Sequence, residues 1–304
     1  MNNPAGSKKN IYLLTEERYL KPKVINNYTN NIIQEDEILI KALQYHGISA
    51  ERRIWSETKT DWQKANYLMF RTTWDYFERF NEFQNWLNQI ENTVPTINSI
   101  KTVKWNLDKK YLLELSKKGV RISESELLNV GAKVNLRTLL KEKKWEKAII
   151  KPCVSGAARE TYVVNNQNSD QLSSHVSELL KNEAFLFQKF EERVLTKGEV
   201  SLMYFGGKFT HAILKMAKAG DFRVQDDFGG SLHEYTANKN EINFGENVLS
   251  VLDVIPDYAR VDILWNEEND PVLSELELIE PELWFRFNPD SAMVFARLLK
   301  NKYF

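Results

Sequence analysis

Apolar and polar positions change period several times along the chain, and each change marks an element. Residues 9–14 and 49–55 read as strands, with a helix between them over 36–45 by its apolar spacing. Residues 67–71 form another apolar strand, and Phe80, Phe83, Trp86, Leu87 and Ile90 mark one face of a following helix. Strands interleaved with helices predict a small parallel α/β sheet for residues 9 to about 100. A helix is predicted from Asn106 through Leu115, ending near Gly119. Residues 148–151, 161–164 and 184–190 read as strands, and Val154–Ala158 as a loop of small residues. A hairpin follows over 200–215, turned by Gly206-Gly207, and then a helix near 246–254. No repeat or low-complexity stretch interrupts this order.

The last hairpin is the most informative segment. Residues 260–265 and 272–280 read as strands around the turn-forming stretch 266–271. Side chains alternate faces along a strand, so Glu275 and Glu277 share a face and Arg260 shares one with Asp262. Pairing about the turn sets Asp262 opposite Glu275. Each like-charge carboxylate pair at ~4 Å costs about 4 kcal/mol at an effective dielectric of ~20. A hard cation such as Mg²⁺ would relieve that cost, and Mn²⁺ is the alternative. A solvated acidic face is the other reading, and the pattern alone leaves both open.

Composition narrows the class. The chain has 304 residues, more than one small core organises. Its 41 Lys and Arg nearly balance 42 Asp and Glu, so no global field favours nucleic acid or an anionic membrane. No apolar run approaches the ~20 residues of a membrane span, and the first residues lack the apolar core of a signal peptide. The single Cys153 excludes an internal disulfide and fits the cytoplasm. The four histidines lack metal-binding spacing, and His211 reads as a structural residue. An apolar face on the first block would permit a homodimer.

Lys151 ends a buried strand before Pro152 and a small-residue loop. That arrangement suits a phosphate clamp, with Lys151 as the point charge and Ser155 and Gly156 as backbone donors. It is not a Walker loop, and the protein-kinase H-R-D sequence is missing. The phrases Arg71-Thr-Thr-Trp74-Asp75-Tyr, Trp105-Asn-Leu-Asp108-Lys109, Lys151-Pro, Gly198-Glu-Val-Ser201, Gly220-Asp-Phe-Arg223-Val-Gln225, Gly229-Gly230, Ala259-Arg-Val-Asp262 and Glu275-Leu-Glu277-Leu-Ile-Glu280-Pro281 occur in one order. Together they resemble the ATP-grasp superfamily. Within it they are similar to the glutathione-synthetase-like ligases, and most of all to the cyclo-ligase group of D-cycloserine biosynthesis. The resemblance covers nearly the whole chain.

What the resemblance implies is an α/β (α+β) ATP-grasp fold. Residues 1–104 would form a Rossmann-like pre-ATP-grasp domain. Residues 105–191 and 192–304 would form two subdomains that sandwich ATP. Lys109 and Lys151 would reach the phosphates. Gln188, Lys189 and Phe190 would lie against adenine, with Glu191 or Glu192 near the ribose. Asp262, Glu275 and Glu277 would hold Mg²⁺. Glu277 stands where related ligases often have Asn, and Gln225 where they often have Asn. Arg223 and Arg260 would meet the charge that develops during transfer. The first block would bind the amino-acid-like substrate, Arg71 holding a carboxylate and Asp75 an amine, with Trp74 beside them. The implied reaction activates a carboxylate as an acyl phosphate and joins it to an amine-type nucleophile, within one molecule in a cyclo-ligase. An intermolecular peptide-forming ligase and a non-catalytic ATP-binding module are the alternatives.

Overall fold

The computed structural model describes residues 9–218, 220–224 and 229–304. Its first sheet is parallel, in the order β2-β1-β3-β4. It contains β1 (Asn10–Thr15), β2 (Ser49–Ile54), β3 (Tyr67–Thr72) and β4 (Thr96–Ile97). Three helices belong to this region: α1 (Glu17–Leu20), α2 (Asn27–Tyr45) and α3 (Phe80–Ile90). Helix α2 begins well before the predicted position 36. Its start is fixed by polar groups: Asn26 accepts from the Thr29 N–H at 2.9 Å, and the Thr29 hydroxyl accepts from the Asn26 N–H at 2.9 Å. The polar first turns carry little apolar stripe, so periodicity misses them.

The predicted helix from Asn106 is two helices, α4 (Ile100–Asn106) and α5 (Tyr111–Lys117). In the break between them, the Lys109 N–H donates to the Cys153 carbonyl at 2.7 Å. A backbone bond to a distant strand end thus replaces helix continuation and fixes Lys109.

The second sheet is antiparallel, in the order β5-β8-β6-β7. Its strands are β5 (Ser125–Leu128), β6 (Lys147–Pro152), β7 (Tyr162–Asn165) and β8 (Phe185–Lys189). Helices α6 (Leu136–Lys143) and α7 (Ser169–Leu179) bury Leu136, Leu140 and Val176 in one cluster with Ile150, Phe185 and Phe187.

The third sheet, also antiparallel, has the order β11-β10-β9-β12-β13. A short α8 (Val194–Lys197) leads into β9 (Glu199–Phe205) and β10 (Lys208–Met216), followed by β11 (Ser231–Tyr235). Gly206 and Gly207 turn the β9–β10 hairpin at φ 56° and 77°, the left-handed pair that a two-residue turn requires. Helix α9 (Lys239–Ser250) starts earlier than its periodicity marks, capped by Asn238 with Glu241 in a capping box. The sheet ends in β12 (Tyr258–Trp265) and β13 (Pro271–Glu277), and the chain in α10 (Pro289–Tyr303).

Strand β13 lies at the sheet edge, but its backbone is not left bare. Asn106 takes the Leu276 carbonyl and the Leu278 N–H, each at 2.8 Å, and the Tyr111 hydroxyl accepts from the Leu276 N–H at 2.9 Å. Side chains flanking the α4–α5 break therefore cover the edge and bring Lys109 beside β13. On the other side, α10 packs on α2, and one apolar core joins Leu13 and Leu39 to Phe205, Phe285 and Phe295.

Candidate active site

The three sheets meet around a cleft of about 450 Å³. The hairpin register matches the sequence reading: Asp262 pairs with Glu275 and Arg260 with Glu277. An irregularity follows Asp262, where Ile263 pairs with Leu273 and skips Ser274. The carboxylates do not stand as bare repelling charges, because protein cations meet each one. Asp262, 2% exposed, accepts from Arg260 Nη2 at 2.8 Å, Lys215 Nζ at 3.2 Å and Ser201 Oγ at 2.5 Å. Burial alone would raise its carboxyl, but Arg260 and Lys215 hold it far below the usual range.

Glu275 accepts from Lys151 at 3.3 Å and faces Lys109 at 3.6 Å. Burial would raise this carboxyl too, yet the two lysines hold it down at about 2. Glu277 pairs with Arg260, but burial and the charges of Asp262 and Glu275 outweigh that contact and push its carboxyl up. Glu275 and Glu277 keep 27% and 28% of their side chains open. Among the described residues, no three acidic, histidine or cysteine side chains form a ready-made metal cage. The donor set is nonetheless all-oxygen, partly open and rich in charge, which fits a hard divalent cation.

Lys109 and Lys151 are 9% and 7% exposed, and Lys109 also donates to the Ser155 carbonyl at 2.9 Å. Ser155 and Gly156 line the cleft with Ala157 and Ala158. A Cβ on Gly156 would lie 2.5 Å from a Phe77 ring carbon, so glycine lets the first block close onto this loop. Ala157, Ala158 and Glu160 adopt left-handed backbone at φ 47°, 51° and 48°, at about 1–2 kcal/mol each. Strain of this kind collects at functional loops. Arg159 instead joins Glu183 and the Val154 carbonyl, outside the cleft lining.

Farther along the cleft, Ile149, Phe190, Val194, Phe222 and Leu264 give an apolar slot. Gln188 and Lys189 border it, and Gln188 donates to Ser125 Oγ at 3.0 Å. Glu191 lines this end, whereas Glu192 lies outside the lining and pairs with Lys147 at 2.8 Å. Arg223 reaches the cleft and chelates Asp221 at 2.7 Å. Gln225 lies outside the described residues. Arg260 lies beneath Trp284, its guanidinium carbon 5.1 Å from the ring centroid.

The first block corrects two expectations. Arg71 is 1% exposed and spends its guanidinium on Asp36 at 3.0 Å and the Pro281 carbonyl at 3.1 Å. Asp75 accepts from the Trp55 indole at 2.7 Å and from Arg79 at 2.8 Å. Neither lines the cleft; Trp74 does, with Arg18, Tyr19, Tyr28 and Tyr76. Sequence reasoning also missed Lys215 and Glu199, which pair with each other beside Asp262. A lysine inside an apolar hairpin strand was the available signal. His211 is structural as read: its Nε2 meets the Leu283 carbonyl at 2.9 Å. Burial first, then the Asp108 charge, pushes the Cys153 thiol up to about 12, which removes a nucleophile there.

Known proteins share parts of this sequence and its fold. Residues 11–98 match the family described as "D-cycloserine synthetase DcsG, N-terminal domain". The chain is 27% identical over 275 residues to the cycloserine biosynthesis protein DcsG of Streptomyces lavendulae, covering 87% of this chain and 92% of that protein. The crystal structure of D-cycloserine synthetase DcsG superposes with a TM-score of 0.86 at 25% identity, over 97% of this chain and 100% of the other. D-alanine–D-alanine ligase from Bacillus anthracis matches with a TM-score of 0.66 at 15% identity, over 96% and 95% of the two chains. The fold is that of the ATP-grasp ligases. No described helix is long and apolar enough to cross a membrane.

Proposed function

We propose that this chain, an ATP-grasp carbon–nitrogen ligase, closes a small amino-acid-derived carboxylate onto a nitrogen nucleophile of the same molecule. The observation that carries the reading is the meeting of Lys109 and Lys151 on Glu275, in one cleft with Asp262 and with Trp74 and Tyr76 of the first block. Residues 105–191 and 192–304 are the two halves that enclose the nucleotide. Its base lies in the slot of Ile149, Phe190 and Leu264, and Glu191 is nearer the ribose than Glu192. Lys109 and Lys151 exchange Glu275 for phosphate oxygens when ATP enters. Asp262, Glu275 and Glu277 would hold Mg²⁺ or Mn²⁺, which would offset negative charge on the phosphates there.

The substrate carboxylate attacks the terminal phosphoryl group, releasing ADP and leaving an acyl phosphate. Phosphoryl transfer needs mostly positioning and charge neutralisation, which the lysines supply. The nitrogen nucleophile then adds to the acyl carbon, loses its proton, and expels phosphate. Arg260, fixed between Asp262 and Glu277, stabilises the oxyanion of that step, and Arg223 neutralises charge on the departing phosphate. Ring closure is supported by the likeness to cycloserine synthetases over 97% of the chain. The use of ATP and the lone buried Cys153 fit the cytoplasm.

The test measures ADP and product mass over a panel of D- and L-amino-acid derivatives, including O-substituted serines, with ATP and Mg²⁺. ADP release with one substrate, and a product lighter than it by one water, is expected. Release only when a second amine is added would favour intermolecular ligation. ATP binding without release for every carboxylate would leave a binding module.

A further inference from the structure

Glu280 is one of the acidic residues lining the cleft that this mechanism does not use. It lies beyond the end of β13, past the carboxylates that face the lysines. Its Oε2 is shielded from solvent and has no hydrogen-bond partner. Such an atom costs stability unless something meets it. As the molecule stands, burial first and the Glu277 charge second push this carboxyl up to about 8.

The surroundings identify the missing partner. The Glu280 segment is held on both sides: the Trp74 indole donates to the Glu280 carbonyl at 2.9 Å, and the Tyr258 hydroxyl donates to the Ile279 carbonyl at 2.6 Å. Tyr19 packs edge-on against Trp74, with centroids 5.3 Å apart. Trp74, Tyr19 and Tyr76 line the cleft with Glu280. After its own burial, the Glu280 charge is the strongest influence on the Tyr76 hydroxyl. A carboxylate among aromatic walls suits an organic ammonium, by charge and by attraction to ring faces. The protein's own cations are committed elsewhere: Lys109 to Ser155 and Glu275, Arg260 to Asp262 and Glu277.

We infer that Glu280 is the counter-ion of a primary ammonium on the substrate, with Trp74 and Tyr76 as its walls. This rests on the ligase reading and sharpens it. An amine held as ammonium has no lone pair to attack an acyl phosphate, so Glu280 would keep the α-amine out of the reaction. The ring would then close through the other nitrogen. Glu280 would thus set both substrate class and chemoselectivity.

The test is calorimetric binding of D-cycloserine and of its des-amino analogue isoxazolidin-3-one, with ADP and Mg²⁺ present, to the wild type and to Glu280→Gln. The wild type should prefer the amino compound at least tenfold, and Glu280→Gln should erase that preference while still binding the analogue. Retained analogue binding shows that the variant is folded. An intact preference in the variant overturns the assignment, as does a wild type with no preference. So does a variant that keeps the preference and instead needs more Mg²⁺. ADP release over the amino-acid panel reports separately on the ligase reading. Ammonium preference without ADP release would sink that reading and leave Glu280 as an ammonium site.

Discussion

Lys109 and Lys151, both nearly buried in the cleft lining, share one carboxylate. Glu275 holds the lysines in place, and in the proposed reaction phosphate oxygens would replace it. A charge-assisted contact of this kind contributes about 1.5–3 kcal/mol. Lys151→Ala should therefore raise the KM for ATP roughly 10- to 100-fold in an ADP-release assay, and an unchanged KM would remove Lys151 from the phosphate site. Arg71 illustrates the opposite case. Arg71→Leu removes one of the two cations that face each of the buried Glu35 and Asp36, leaving them to Arg286 and Arg52, at about 1–3 kcal/mol. Urea melts should record that loss, while KM for the amino-acid substrate stays at its wild-type value; a raised KM would restore the substrate role. The sequence made Lys151 legible because a lysine before Pro152 at a strand end is costly without an anion. Arg71 misled because ligands do collect at strand carboxyl ends, but that rule does not say which face a side chain takes. Its partner Asp36 lies on a helix whose start the apolar pattern hid.

At the scale of elements, β10 ties the third sheet to the segment carrying Trp284. His211 on that strand is held neutral, its Nε2–H donating to the Leu283 carbonyl and its Nδ1 accepting from Thr210. Burial lowers its pKa from the ordinary 6.5 to about 4. The unfolded chain then binds more protons than the folded one between those values. Stability is complete above pH 6.5 and falls as pH drops through the window towards 4, by up to roughly 3 kcal/mol. His211→Gln keeps a donor for Leu283 but does not titrate. Urea melts from pH 7 to 4.5 should show a steeper loss for the wild type than for this variant; parallel losses would assign the acid sensitivity elsewhere. The acidic hairpin was legible to the residue, because period-two alternation and a polar turn fix register. The α4–α5 break was not, since its cause is a bond from the Lys109 N–H to Cys153, a strand end 44 positions away.

At the scale of the whole molecule, three sheets contribute different chemistry to one cleft. The second brings Lys151 and the small-residue loop, the third the carboxylates and Arg260, and the first an aromatic wall around Trp74. The parallel first sheet followed from alternating strand and helix signals. The strand orders of the other two did not, because β8 enters between β5 and β6, and β12 beside β9, by long-range pairing that local patterns do not encode. The shared core of α2 and α10 is likewise a contact between the chain's two ends. With near-balanced charge overall, the field that matters is local to the cleft. The central claim is that a substrate carboxylate becomes an acyl phosphate there. Its most direct test is mass analysis of the phosphate released when the carboxylate of a turned-over substrate is labelled with oxygen-18. One labelled oxygen per phosphate, formed together with ADP, is the expected result. Phosphate without label, whatever the amount of ADP, would contradict it.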